Sequence, residues 1–171
     1  MTDRRAIIRA WWSRNIGARD SSAARALAAR LSRGDGVEIL AERTVFDLAQ
    51  SLDLTRSPMQ LVPLVQVLAT VRENRGGALP RRLGGEPPVL SGLRFQRLLR
   101  SEGSELASQI RRALRMVDRA CDVGALGADL LDWTDETRAR WAFDYFDAPV
   151  PDRLAAGGDA SVTEPDEETS I

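Results

Sequence analysis

The chain has 171 residues, of which 43% are hydrophobic and 29% charged. That suits one soluble domain or two small ones and is too little for a large multi-domain enzyme. Histidine and lysine are both absent and cysteine occurs once, as Cys121. This composition excludes imidazole bases, Ser-His and Cys-His pairs, His or Cys zinc sites, lysine P-loops, Schiff-base lysines and any internal disulfide.

No run approaches the ~20 consecutive apolar residues of a membrane span. A reducing, cytoplasmic setting is the expectation from the lone cysteine. The formal net charge of −1 hides a strong segregation. Residues 1–116 hold 20 Arg against 11 acids, whereas residues 117–171 hold 4 Arg against 14 acids. Every side-chain cation is a planar guanidinium, suited to bidentate contact with phosphate or carboxylate.

In chain order the pattern is helical almost throughout. Residues 3–17 place Ile7, Ala10 and Trp11 at helical spacing, with Ile8 and Trp12 beside them. Asp20 is placed to cap a second helix that runs through Leu27 and Leu31 to Gly34. A third fits Val37, Leu40, Val45, Leu48 and Leu52. Ser57-Pro58-Met59-Gln60 has capping-box spacing with Pro at the first helical position, and it opens an apolar helix through Leu61, Leu64, Val65, Leu68 and Val71. Pro63 must either kink that helix or lie in its first turn.

Four glycines and three prolines in residues 75–90 suggest a linker between two helical halves. Ser91 then opens a helix that ends near Arg100, and Ser104 caps one that runs to about Ala120. A short helix through Leu126, Leu130 and Leu131 follows, and Thr134 caps the last, which carries Trp141, Phe143, Tyr145 and Phe146. The expected organisation is all-α: a helical bundle over 1–75, a linker over 76–90, a second bundle over 91–147, and a disordered acidic tail over 148–171.

Two of these helices carry chemistry. At about 100° per residue, Arg94, Arg97 and Arg100 share an arc of roughly 120°, opposite Phe95, Leu98 and Leu99. In the next helix Arg111, Arg112 and Arg115 share about 100°, opposite Leu106, Ile110, Ala113, Leu114 and Val117. Each helix thus has one face for a bundle and an arginine face with few acidic partners at i,i+4 spacing. A phosphodiester backbone is the matching ligand, because guanidiniums contact it bidentately and release counterions. Nothing in the sequence predicts base reading. An alternative remains open, a helical adaptor whose arginine faces dock acidic protein partners.

The aromatics Trp133, Trp141, Phe143, Tyr145 and Phe146 read as core packing more readily than as a base-stacking platform, since Asp144 and Asp147 between them would repel phosphate. Asp129, Asp132, Asp135 and Glu136 could suggest a metal. Asp135 and Glu136, however, occupy a helix first turn, where carboxylates suit the dipole, so neither a metal nor a cofactor is expected.

Several segments, in this order, resemble the small subunit of the type I-E CRISPR Cascade complex, the CasB family. They are Ala29-Arg30-Leu31-Ser32-Arg33 after a Trp-bearing helix, Ser91–Arg100, Gln109–Leu114, Asp129–Trp133 and Arg140–Phe146. The resemblance implies an all-helical, non-catalytic subunit. It implies two copies head to tail in a crRNA-guided complex, touching the other Cascade subunits and steadying the crRNA–target duplex and the displaced strand. It carries nucleic-acid contacts onto Arg94, Arg100, Arg111 and Arg112, and onto Arg33 as the N-terminal basic position. Arg97 and Arg115 join them from the helical faces alone. The Pro/Gly-rich 76–88 loop and the acidic tail depart from the family pattern and leave Arg81 and Arg82 without a role.

Overall fold

The apolar stripes of this sequence are too wide to be covered by one neighbour each, and the chain answers with many short helices. The computed structural model describes residues 3–75 and 77–155. Asp3 caps α1 (Arg4–Trp12), its carboxylate accepting the Arg5 N–H. A π-type turn over Ser13–Gly17 ends this helix. α2 (Ser22–Arg33) is capped by Ser21 rather than Asp20, one residue later than expected, with the Ala24 N–H donating to the Ser21 hydroxyl. Asp20 instead accepts the Ser21 N–H.

The helix expected over 37–52 is two, α3 (Gly36–Leu40) and α4 (Arg43–Ser51). Glu42 between them is extended, and its carboxylate is held by Arg30. The break lets Ile39 on one piece and Val45 and Leu48 on the other all reach the interior. Ser57 makes no capping bond; a 3-10 turn over Pro58–Gln60 leads into α5 (Leu61–Thr70), and Pro63 lies in its first turn without breaking it. α5 buries nearly every side chain and is the axis of the molecule.

The stretch expected as a plain linker carries a short helix, α6 (Leu79–Leu83). Its sequence contains Leu79, Leu83 and Leu90, and burying all three outweighs the flanking glycines and prolines. α7 (Gly92–Arg100) follows as expected. α8 (Gly103–Met116) starts one residue before Ser104 and stops short of Ala120, because Asp118 and Arg119 are both left-handed, with φ of 57° and 55°. The chain then makes β2 (Ala120–Cys121), parallel to β1 (Glu73–Asn74), with Glu73 opposite Ala120 and Asn74 opposite Cys121. α9 (Val123–Leu131) and α10 (Asp135–Tyr145) complete the body, the latter capped by Thr134 as expected. Asp152–Ala155 form one further helical turn, α11. The remainder of the expected acidic tail, residues 156–171, lies outside the described residues.

The all-α class is observed, with eleven α-helices among the described residues and only these two-residue strands. A single hydrophobic cluster runs through both the 1–75 and 91–147 stretches. α1 crosses α9 closely, and α5 packs on both α2 and α8. A side chain at Gly127 would strike Ile8, at 2.7 Å from its Cγ2, so only hydrogen at this position lets α1 settle. Gly84 does the same where α6 meets the carbonyl of Tyr145. Trp12 donates its indole N–H to the Leu68 carbonyl at 3.0 Å, tying α1 to α5. Among the described residues no helix is long and apolar enough to cross a membrane.

Candidate nucleic-acid interface

Six of the seven arginines singled out by sequence fall into two places. The first is the groove between α7 and α8. Phe95 and Leu98 are buried, and the Phe95 ring stacks on Tyr145 with centroids 4.0 Å apart. That packing fixes the roll of α7 and turns Arg94, Arg97 and Arg100 outward, all exposed. On α8, burial of Leu106, Ile110 and Leu114 turns Arg112 to the same side. Arg94, Arg97 and Arg112 line one groove, with Glu105 its only acid among the described residues. Arg100 is exposed at the end of α7 and is not part of that lining.

The second place is a basin where the carboxyl ends of α2 and α5 meet the side of α8. Arg33, Arg111 and Arg115 come together here with four arginines that the sequence reading did not single out: Arg19, Arg25, Arg72 and Arg119. Among the described residues no carboxylate lines it. Arg111 is half-buried and donates to the Ser32 carbonyl at 2.8 Å and to the Thr70 hydroxyl at 3.2 Å, so it serves the fold as well. Arg19 donates to the carbonyls of Ala69 and Val71, both at 3.0 Å. These contacts place guanidiniums at helix carboxyl ends, where the backbone dipole favours positive charge. Arg33, Arg72 and Arg115 are exposed around them.

Part of this basin was readable. Arg25 and Arg33 are eight residues apart and share a helical face with Ala29. Arg72 and Arg119 were not readable, because only the parallel pairing of β1 with β2 brings them together, the Arg72 N–H donating to the Arg119 carbonyl at 2.8 Å.

Electrostatics distinguish the basin from the rest of the molecule. Burial lowers the proton affinity of Arg19, Arg111 and Arg119, and neighbouring guanidiniums lower it further: Arg72 and Arg119 for Arg19, Arg115 for Arg111, Arg72 and Arg115 for Arg119. Arg30, Arg75 and Arg138 shift the opposite way because each holds a carboxylate. Arginine stays charged under either shift, so the basin is a concentration of uncompensated positive charge. Among the described residues, none of Arg33, Arg94, Arg97, Arg100, Arg111, Arg112 and Arg115 pairs with a carboxylate. Arg81 does, to Asp144 at 3.2 Å, and Arg82 donates to the Val117 carbonyl, so both serve the fold.

Asp129, Trp133, Trp141 and Tyr145 are structural, whereas Phe146, expected to pack in the core, is 73% exposed just past the end of α10. Asp129 is buried and accepts from Arg140 at 2.6 Å and from the Trp141 indole at 2.7 Å. No group of three or more potential metal ligands gathers among the described residues. Trp141 is fully buried, and Trp133 meets it edge-on with centroids 4.9 Å apart. Cys121 is buried too, and desolvation, with Asp122 adding to it, pushes its thiol from an ordinary 9.0 up to about 12.

The family described as CRISPR-associated protein Cse2 matches residues 27–146, well over half the chain. The chain belongs to the Cse2 family, the small-subunit family of type I-E Cascade. It is therefore a subunit of a CRISPR Cascade complex, in a family of non-catalytic subunits that work with crRNA and the other subunits. No curated protein and no solved structure matches the chain. The matched span includes both arginine helices, α7 and α8, and the end of α2 with Arg33. Arg19 and Arg25 of the basin lie before it.

Proposed function

We propose that this Cse2-family subunit holds nucleic acid in the crRNA-guided complex through sequence-independent arginine contacts to the backbone. The contacts steady the crRNA–target duplex and the displaced strand. The observation that carries this reading is the gathering of guanidiniums in a groove and a basin where Glu105 is the one lining carboxylate among the described residues. Such a surface is repulsive on its own and is neutralised by phosphates. Guide pairing supplies specificity, and exchanging a DNA duplex for a hybrid is nearly balanced in energy, so a few backbone contacts tip it. Exposed Leu93 and Phe146, and Val37 and Met59 around α3, offer apolar surface to neighbouring subunits, a second head-to-tail copy among them. The assembly is cytoplasmic in this reading.

The test replaces Arg94, Arg100 and Arg112 together by Ala and measures retention of target DNA by the assembled complex across a salt titration. Losing up to three phosphate contacts weakens retention by about 10- to 100-fold at ~0.1 M salt and flattens the log–log salt slope by about 2–3. The circular dichroism spectrum stays that of wild type, since all three side chains are exposed. Retention equal to wild type at every salt concentration would sink the assignment.

A further inference from the structure

The strongly acidic residues 156–171 follow directly on the described part of the chain. They contain Asp159, Glu164, Asp166, Glu167 and Glu168 and no basic residue. Their point of departure is fixed. α11, which ends at Ala155, packs on α10. The end of α10 is fastened to α7: the Tyr145 ring stacks on Phe95, and its hydroxyl donates to the Leu90 carbonyl at 2.6 Å. Leu90 itself lines the α7–α8 groove beside Arg94, Arg97 and Arg112.

We propose that the acidic segment 159–168 seats in the α7–α8 groove of the free subunit, where it stands in for nucleic-acid phosphate and is displaced when the nucleic acid arrives. This rests on the nucleic-acid reading of that groove. Three observations support it. The signs are complementary: the segment carries five carboxylates, and the groove carries three guanidiniums that pair with no acid among the described residues. The reach suffices, since sixteen residues can extend about 50 Å and Ala155 ends the turn that packs on α10, whose Tyr145 ring stacks on Phe95 of α7. The tether also places the acids at an effective concentration on the order of millimolar, enough for a weak, salt-sensitive contact to be occupied most of the time. A polyanion with many more charges then displaces it, and stray short anions do not.

The consequence is selectivity for context. Adventitious RNA and DNA must displace the tethered acids unaided and so bind the free subunit more weakly, while the guide–target duplex is held against the groove by the rest of the assembled complex. The test uses the full-length chain with Asp159→Asn, Glu164→Gln, Asp166→Asn, Glu167→Gln and Glu168→Gln. Arginine modification by phenylglyoxal, without nucleic acid and read by mass spectrometry, reports the seating directly. Arg94, Arg97 and Arg112 should react about 3-fold faster in the neutralised chain at low salt, with exposed Arg56 unchanged as the control for net charge. In parallel, a fluorescent oligo-dT strand should bind the neutralised chain about 5- to 10-fold more tightly at ~50 mM salt and within about 2-fold at ~0.5 M. Equal modification rates at the three groove arginines overturn the seating, whatever the strand does. Unequal rates with no strand binding by either chain support the seating and overturn the nucleic-acid reading instead.

Discussion

The α9–α10 corner and the α2–α5–α8 basin both gather arginines beside buried surface, and they treat the charge in opposite ways. At the corner, Arg140 meets Asp129 with both side chains largely withdrawn from water, and the Trp141 indole takes the second carboxylate oxygen. Arg138 is held between Glu102 and Asp135 nearby. In the basin, Arg19 and Arg111 direct their donors to backbone carbonyls and a hydroxyl, which leaves the charge uncancelled; Arg111 is held by Nε and Nη contacts, whereas the buried Arg19 Nε finds no partner among the described residues. A guanidinium can thus be structurally satisfied without being electrostatically neutral. Where the chain supplies carboxylates, arginine is a fastener; where it supplies only carbonyls, arginine remains available to an external anion.

The comparison can be broken most forcefully at the corner. Asp129→Ala leaves Arg140 and the Trp141 N–H without their buried partner. Removing one member of such a pair costs about 3–5 kcal/mol, measured as a lowered urea midpoint. Strand binding by the folded fraction should stay within about 2-fold of wild type. A loss of binding in fully folded protein would show that the corner belongs to the interface after all.

In the basin the effects should reverse. Arg33→Ala with Arg115→Ala removes two exposed, unpaired cations, so stability should change by less than about 0.5 kcal/mol. Strand affinity at ~0.1 M salt should fall about 10-fold, with the log–log salt slope reduced by about 2. Anisotropy titrations at several salt concentrations read both quantities. An unchanged slope would mean that phosphates do not enter the basin.

A smaller effect sharpens the boundary between the two regions. Cys121 sits on β2, next to the basin, and burial holds its thiol protonated to about pH 12 instead of 9.0. Below about pH 9 folded and unfolded chains both keep the proton, so this residue makes stability independent of pH there. Above it the unfolded chain ionises first, and stability declines as pH rises toward 12, by at most about 1.4 kcal/mol per pH unit. Cys121→Ala should flatten the onset of that decline in urea melts at successive alkaline pH values. An identical alkaline profile would show that the thiol is not held neutral.

Much of this is legible in the sequence. Helix periodicity places α2, α7 and α10 within a residue or two, because burying an apolar stripe is a local property of the sequence; α1 ends five residues early in a π-type turn and α5 starts three residues late, after the 3-10 turn at Pro58. The outward turn of Arg94, Arg97, Arg100, Arg112 and Arg115 follows from the same stripes. What escaped was non-local. The break at Glu42 has no glycine or proline to announce it. The helix at Leu79–Leu83 forms inside a segment rich in both, because α10 is there to cover it. Arg111 looked like one more surface cation and proves to be half tied to α2 and α5. Arg72 and Arg119 lie far apart in sequence and share a rim only after β1 and β2 pair.

That pairing has a mechanical side. Arg72 and Arg119 are joined by a main-chain hydrogen bond, so the separation of the two stems that carry these charges is set by peptide geometry and not by any packed side chain. Substitutions around them can therefore recolour the rim without moving its anchor points. Only the reach of each side chain from its anchor is left to vary.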